Sequence, residues 1–241
     1  MWEFPASFII RFWYNHGFLE VNDRPQWYVI KGGSREYIKK LVASFREKIH
    51  LNSGVRDVTK VSGGLKVTNI AGESEIYDRV IFACHSDEAS RILVDQPHLV
   101  DTLKMIPYQR NVAVLHSDTS VLPKRSLAHA AWNYFLPSEA SSLVTVHYHM
   151  NILQSLDTSQ TFIVSLNPVQ SIESGKIIRK IVYHHPIFTP TGMAAQKQLR
   201  RLSGKDGIYF AGAYMRYGFH EDGVLSALHA CKKLEEGADA K

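Results

Sequence analysis

The sequence predicts a mixed α/β fold, and three patterns along the chain indicate it. Near the end, the apolar run Gly207–Tyr214 is followed by a helix-forming pattern, which is typical of a buried strand that leads through a glycine loop into a helix. Earlier, short β-type runs between about 55 and 83 are separated by glycine turns, which predicts a β-meander. From about 108 to 183, longer β-type runs recur without amphipathic helices between them, which favours a mostly antiparallel sheet.

In chain order, the elements begin with an apolar, aromatic-rich helical stretch at residues 1–22. A second helix is predicted at about 34–48, with Ser34 as its N-cap. Its packed face is expected to comprise Tyr37, Ile38, Leu41, Val42 and Phe45. The meander strands are predicted at 55–61, 65–70 and 75–83, and those of the larger sheet at 111–115, 129–136, 143–149, 161–166 and 176–183.

The last part of the chain is predicted to form a helix at about 191–202, a strand at 208–211 and a terminal helix. We expect that terminal helix to open directly after a turn at residues 221–223. Its packed face is expected to comprise Val224, Leu225, Leu228, Cys231 and Leu234. A helix N-terminus carries unpaired N–H groups and partial positive charge, so this one favours an anion or an electron-rich carbonyl group.

Composition excludes several classes of protein. Lys and Arg (28) exceed Asp and Glu (23), but the basic residues are scattered, and nucleic-acid binding needs a concentrated basic surface. Cys84 and Cys231 lie in apolar patterns, so we expect buried thiols, no disulfide, and a reducing, cytoplasmic location. No segment reaches the ~18 consecutive apolar residues of a transmembrane helix. The aromatic stretch Phe4–Phe18 leaves peripheral membrane contact open.

The C-terminal stretch Gly207–Tyr214, continued by Tyr217–Ala227, resembles the FAD-binding signature of the flavin-dependent amine oxidase superfamily. The resemblance is closest to the subgroup of predicted NAD/FAD-binding proteins. Three further stretches, Arg24–Ser34, Asn111–Thr119 and Tyr183–Pro190, extend the resemblance over nearly the whole chain.

This resemblance implies the organisation of the fold. A partial FAD-binding, Rossmann-like lobe with the β-meander would comprise residues 23–105 and 190–241, and a substrate-binding lobe with the mixed sheet would comprise 1–22 and 106–189. The strand–turn–helix carrying G-x-G-x-x-G, which holds the ADP half of FAD in this superfamily, is absent. We therefore expect the C-terminal fragment of a larger flavoprotein, with an N-terminal FAD-binding segment as its missing partner.

The resemblance also implies the cofactor site. The chemistry is hydride transfer from an organic substrate to N5 of FAD, and the terminal helix would stabilise the reduced ring. Its FAD-binding residues would be Val55, against adenine, with Gly212, Ala213, Glu221, Asp222, Gly223 and Val224. Ala213 occupies a position where many amine oxidases carry a glutamate. For Asp222 we favour helix capping over catalysis.

Four side chains are candidates for the substrate pocket, and each has an ordinary structural alternative. Phe219 aligns with an aromatic residue beside the flavin, or it is a core aromatic residue. His184 and His185 are proton-transfer or covalent-attachment candidates, or satisfied histidines. Tyr148 contributes a polar contact, with Asn151 and Gln154 nearby, or the segment merely ends a strand. No catalytic residue is assigned.

We interpret the chain as the C-terminal portion of an FAD-dependent oxidoreductase of the amine oxidase type. The alternative is a noncatalytic remnant or partner-binding subunit that lacks the dinucleotide-binding half. A histidine metal site, suggested by His147 and His149, is disfavoured because no zinc-binding motif is present and adjacent strand histidines point to opposite faces.

Overall fold

The structure is a computed structural model that describes residues 5–22, 26, 28–137 and 143–239. By the density of its contacts the chain divides into two compact units. The first unit comprises the chain up to Tyr108 together with the segment from Pro186 onward, and the second comprises Gln109–His185.

Helices and strands alternate along the chain. The helices are α1 (Ala6–Asn15), α2 (Arg35–Leu41), α3 (Ser86–Ile92), α4 (Pro97–Lys104), α5 (Met150–Leu153), α6 (Pro190–Leu202) and α7 (His220–Asp239). The strands are β1 (Val55–Val61), β2 (Gly64–Asn69), β3 (Ser74–Tyr77), β4 (Val80–Phe82), β5 (Tyr108–His116), β6 (Trp132–Phe135), β7 (Thr145–His149), β8 (Ile163–Leu166), β9 (Ile177–Pro186) and β10 (Ile208–Phe210). The mixed α/β class predicted from the sequence is confirmed.

The first unit contains the predicted meander and a small parallel sheet. Strands β1, β2 and β3 form the antiparallel meander, and β4 pairs with β10 in parallel. The third predicted strand, 75–83, was wrong as a single element. Polar Asp78 and Arg79 interrupt the apolar run, and the chain turns there from the meander to the parallel sheet.

Strand β10 lies at the centre of the first unit's core. Its three residues are all buried, because α6 and α7 pack against it and β4 covers one edge. Phe210 stacks on Phe82 of β4 with ring centroids 5.7 Å apart. The fully buried members of this core include Val58, Leu65, Leu93, Leu99, Leu103, Leu199 and Ile208.

The helix predicted at 34–48 is shorter than expected. Helix α2 ends at Leu41, and after a turn only a 3₁₀ turn at Arg46–Lys48 follows. The side chain of Ser34 makes no capping hydrogen bond, and none of the helix residues is buried. Ile38, Leu41 and Phe45 are exposed, so the face predicted to be packed is open in this chain.

The second unit is a five-stranded sheet in the order β6-β7-β8-β5-β9. The pairs β6–β7, β7–β8 and β5–β8 are antiparallel, which confirms the predicted mostly antiparallel sheet. Side chains on one face of β5, β7 and β8 are buried, whereas Trp132 and Tyr134 of β6 are more than half exposed.

A hydrogen-bonded row of polar side chains crosses the buried face of this sheet. The Asp118 N–H donates to Nδ1 of His116 at 3.1 Å, so Nε2 of that ring carries the proton and lies 2.7 Å from Ser165 Oγ. The Ser165 hydroxyl is then left to donate to Nδ1 of His147 at 2.6 Å. Burial lowers the pKa of both imidazoles. Both rings are therefore neutral parts of the packing.

The contact-based division places α1 in the same unit as the meander. We assigned residues 1–22 to the substrate-binding lobe, and packing alone does not say which ligand a unit binds. The assignment of the two lobes to FAD and substrate stays a prediction. Within the described part of the chain, no helix combines the length and apolar character needed to cross a membrane.

Gly207, at the entrance to β10, tests how tightly the chain is fixed there. Its φ is +78°, and an added Cβ would lie 2.7 Å from the Asp78 carbonyl oxygen. We expect Gly207→Ala to lower the free energy of unfolding by about 1–2 kcal/mol for the backbone conformation, and by a further 1–3 kcal/mol for the clash.

The matched control is Gly72→Ala, because Gly72 has a φ of +88° and an added Cβ would meet no atom within 4 Å. It should show the first cost alone. Urea unfolding followed by circular dichroism measures both variants. Equal losses would show that the contact between residues 78 and 207 is loose.

Candidate functional site

Ser226 connects the two segments that the sequence predicted to meet at a ligand. Its hydroxyl oxygen accepts a hydrogen bond from the Gly212 N–H at 2.8 Å and donates to the Gly223 carbonyl at 2.7 Å. The loop after β10 is thereby fixed to the first turn of α7. Because Ser226 is buried, water does not compete for these bonds.

Helix α7 begins at His220, and this differs from the predicted start. The Asp222 carboxylate accepts the Phe219 N–H at 3.0 Å, which is the reciprocal half of a capping box and makes Phe219 the N-cap residue. The Glu-Asp-Gly segment thus forms the first turn instead of preceding it. Capping by Asp222, which we favoured over catalysis, is confirmed.

The shifted start changes which N–H groups face outward. The Gly223 N–H already donates to the Phe219 carbonyl at 3.1 Å, inside the helix. The groups without an intrahelical acceptor are those of His220, Glu221 and Asp222. The donors predicted at 222–224 are therefore wrong in register by two residues, although the positive end of the helix lies where expected.

Two of the glycines in this site have different roles. An added Cβ at Gly212 would collide with the Tyr214 ring, so Gly212 is required by internal packing. At Gly223 an added Cβ would meet no atom within 4 Å. Its backbone conformation is helical and needs no glycine. Only Gly223 leaves a face of the helix open to a ligand from outside.

The loop between β10 and α7 is held from below by α6. Gln196, which is buried, donates from Nε2 to the carbonyls of Tyr214 and Arg216 at 2.8 Å each. Arg200 donates from Nη1 to the Met215 carbonyl at 2.6 Å. These bonds hold three successive carbonyls, so the loop has a defined shape before any ligand binds.

Tyr214 lies beneath this loop in the core. Its ring is 3% exposed, and its hydroxyl is one of the few buried polar atoms in the described part of the chain that lacks a hydrogen-bond partner. Burial raises the pKa of this phenol, so it stays protonated. The ring fills the space that Gly212 leaves.

Phe219 lies against helix α1. Its ring stacks on Phe12 with centroids 5.5 Å apart, and the His16 ring lies at 5.0 Å. In the same cluster Phe8 stacks on Phe188 at 4.5 Å. Phe219 nevertheless remains 43% exposed, so both predicted roles are compatible with its position. It is packed on one side and open on the other.

The other predicted FAD-binding residues are more scattered. Ala213 begins a 3₁₀ turn and is half-buried, while Glu221 and Val224 are exposed on the first turn of α7. Val55 begins β1, pairs with Asn69 and is 40% exposed. Its contact with adenine stays a prediction.

The remaining pocket candidates belong to the second unit. Tyr148 pairs with Trp132 across β7 and β6, and burial raises its pKa. His185 Nδ1 is 2.9 Å from the side-chain amide of Asn111, and His184 is exposed. Their roles toward a substrate or the flavin stay predictions.

Asn151 has the structural role that was the alternative. Its Oδ1 accepts the Phe162 N–H and its Nδ2 donates to the Gln160 carbonyl, both at 2.8 Å. It therefore fixes the turn before β8. Among the described residues, no three His, Cys, Asp or Glu side chains converge as a metal site.

The packed face of α7 also differs from the predicted one. The buried positions are Asp222, Ser226 and Ala230, spaced four residues apart, whereas Leu228 and Cys231 are exposed. The predicted face is rotated because apolar periodicity marks Leu228 and Cys231, while two polar residues with specific bonds occupy the true interface. Cys84 is half-buried, as an apolar strand residue should be.

Ser226, Gln196 and Arg200 were missed by the sequence analysis. Ser226 follows Asp222 by four residues, so the two share one helix face, and that spacing was the available signal. Nothing in the local sequence marks Gln196 or Arg200, because their partners are carbonyl groups 15–20 residues away.

Comparison with known families identifies part of the chain. Residues 10–121 match the flavin containing amine oxidoreductase family. The resemblance inferred from the sequence is thereby confirmed, and with it a family that contains flavin. The matched residues do not include the loop and helix from Gly207 onward, so the flavin contacts of that segment stay a prediction. No curated protein matches the chain.

Two solved structures are similar in fold. One is a CLA-producing fatty acid isomerase from P. acnes, with a TM-score of 0.58 and 11% identity over 84% of this chain and 52% of that chain. The other is a reduced UDP-galactopyranose mutase, with a TM-score of 0.59 and 17% identity over 83% of this chain and 50% of that chain. The chain therefore spans about half the length of the solved structures it matches.

The capping bond of Asp222 can be measured with a matched pair of variants. Asp222→Ala and Glu221→Ala each remove one carboxylate from the first turn of α7, so both lose a similar interaction with the helix dipole. Only Asp222→Ala leaves the Phe219 N–H without its partner. We expect it to cost about 1–2 kcal/mol of unfolding free energy, against at most about 0.5 kcal/mol for Glu221→Ala.

Thermal unfolding at neutral pH, with circular dichroism as the signal, compares the two proteins. If Glu221→Ala were as harmful as Asp222→Ala, the helix dipole and not the hydrogen bond would dominate at this terminus.

Proposed function

We propose that the chain is the C-terminal portion of an FAD-dependent oxidoreductase of the amine oxidase type. The observation that carries this proposal is the pre-shaped N-terminus of α7, with outward N–H groups at 220–222 and an open face at Gly223. The family match at residues 10–121 supports the same cofactor class independently, because it concerns a different part of the chain.

The residues at this terminus suit the pyrimidine edge of a flavin ring. When bound, the flavin would accept a hydride from the substrate and carry the resulting negative charge. The N–H groups of His220 and Glu221 would orient that edge and stabilise the charge, with the partial positive charge of α7 behind them. The Gly223 face admits the flat ring, and Phe219 would flank it.

No carboxylate in this site acts as a general base in our proposal. Asp222 is buried, accepts the Phe219 N–H and lies 3.5 Å from the Arg216 guanidinium. Glu221 is exposed on the adjacent position. The chain's contribution here is to position the cofactor and to stabilise charge, and proton transfer at this terminus is not part of the proposal.

We further propose that the ADP half of FAD is held by a dinucleotide-binding segment outside this chain. The chain spans about half of the solved structures it resembles, and it contains no G-x-G-x-x-G sequence. The exposed apolar residues of α2 suit a surface that such a segment would cover.

The second candidate function is a noncatalytic, partner-binding subunit. The same exposed face of α2 favours it, because a partner of any kind would bury that surface. The two similar structures carry the names of an isomerase of fatty acids and a mutase of a sugar nucleotide, so a shared fold leaves the substrate of this chain open. We propose the sheet of the second unit, with Tyr148, His184 and His185, as the place where substrate specificity arises.

A flavin titration tests the part-site directly. If this chain contacts only the ring end, riboflavin and FAD should bind with similar, weak affinities, because the phosphate and ribose contacts lie elsewhere. We expect dissociation constants within about threefold of each other, in the range of roughly 0.1–1 mM. Gly223→Val should weaken riboflavin binding at least tenfold, since its side chain fills the space proposed for the ring.

Gly237→Val is the control, because it places the same residue in the same helix, and a Cβ there would touch only the Tyr209 hydroxyl, at 3.5 Å. Fluorescence quenching of riboflavin measures all three proteins. Tight FAD binding with weak riboflavin binding would contradict the missing ADP site. An absence of flavin binding in the wild-type chain would favour the noncatalytic alternative.

Flavin bound to this protein should be released by acid. Burial raises the pKa of the Cys84 thiol, which disfavours the thiolate needed for a covalent link. Cys231 is exposed on the third turn of α7, away from the open Gly223 face. Trichloroacetic acid should therefore leave the yellow colour in the supernatant.

Colour retained in the pellet would instead direct attention to His184 and His185, and their alanine variants would identify the attachment point. The two free thiols also support the proposal that the protein works in a reducing compartment such as the cytoplasm.

A further inference from the structure

We propose that the cavity between α6 and α7 binds a phosphoryl group. The cavity has a volume of about 230 Å³ and is open to solvent at one side. Its wall consists of Arg200, Met215, Arg216, Leu225, Ser226 and His229. It lies beside the Ser226 hydrogen bonds but on the side of the helix formed by residues 225 and 229, and its ligand is independent of the proposed flavin.

The charges around this cavity are not balanced by the protein. Arg216 lies 3.5 Å from an Asp222 carboxylate oxygen. Arg200 has no carboxylate within ion-pair distance among the described residues, and its recorded hydrogen bond is to the neutral Met215 carbonyl. Two guanidinium groups therefore share a single carboxylate. An anion in the cavity would supply the missing negative charge.

The state of Arg200 indicates the same imbalance. Burial is the main cause that lowers the pKa of its guanidinium from the ordinary value, and repulsion from Arg216 adds to it. A half-buried guanidinium next to a second one is unfavourable without a counter-ion. Structural arginines are normally paired by carboxylates, so an unpaired one facing a cavity points to a ligand.

The walls of the cavity are rigid enough to form a site. Gln196 fixes the Tyr214 and Arg216 carbonyls, and Lys233 donates from Nζ to the Ser203 carbonyl at 2.9 Å, which ties α7 to the end of α6. Met215 is buried and Leu225 half-buried, so part of the wall is apolar. Low water content strengthens charge-assisted hydrogen bonds to the arginines.

A phosphoryl group suits this arrangement better than a carboxylate. A guanidinium has five N–H donors in a planar fork that matches two oxygens of a phosphate, and a phosphate dianion can engage two forks. The source would be inorganic phosphate or the phosphate ester of a small molecule, and the two differ in how much of the cavity they fill.

Isothermal titration of the full chain with inorganic phosphate and with phenyl phosphate tests the site. We expect wild-type protein to bind both with dissociation constants below roughly 10 mM. Tighter binding of phenyl phosphate would assign an ester, and equal binding would assign inorganic phosphate. Arg200→Gln and Arg216→Gln should each weaken binding at least tenfold.

The control is Arg201→Gln, which removes the same charge from the same helix at an exposed position outside the cavity. Its binding should change by less than twofold. Circular dichroism establishes that each variant is folded, and Arg200→Lys serves if Arg200→Gln is not, with an expected loss of at least threefold because the fork is removed. Absence of phosphate binding in the wild type, or an equal loss in Arg201→Gln, would overturn the proposal.

Discussion

The hydroxyl group of Ser226 holds together the elements on which the candidate site depends. It binds the Gly212 N–H from the loop after β10 and the Gly223 carbonyl from the first turn of α7. Without it, the strand, the loop and the helix would each be anchored to the core by its own packing alone. The site therefore has its geometry from a polar contact inside an apolar unit, where an unpaired N–H would cost about 1–3 kcal/mol.

Local sequence was sufficient where an element is fixed by its own pattern. Strands β1, β2 and β10 and helix α6 were predicted nearly to the residue, since glycines and polar turns bound them. The start of α7 was not predicted, because Asp222 was interpreted as a cap in front of the helix, whereas its carboxylate reaches back to Phe219 from the third helical position. A carboxylate in a first turn is compatible with both geometries, and only the direction of the side chain distinguishes them.

Tertiary partners decided the remaining differences. Apolar periodicity identifies which residues of α2 share a face, but it does not supply a surface to cover Ile38 and Leu41, and these stay exposed. On α7 the reverse holds, since the interface is built from Asp222 and Ser226, which a hydrophobicity pattern passes over. The arginines of the α6–α7 cavity belong to the same class, because their neighbours are distant in sequence.

The outward edge of β10 has a further property. On one side the strand pairs with β4, and the Ala211 N–H continues that ladder to the Phe82 carbonyl. On the other side, the Phe210 and Gly212 N–H groups are taken by the hydroxyls of Ser203 and Ser226. Two serines thus end the parallel sheet as a third strand otherwise would. An incoming strand would have to displace them, so this edge is protected against domain swapping and fibril-like self-association even when the chain is alone.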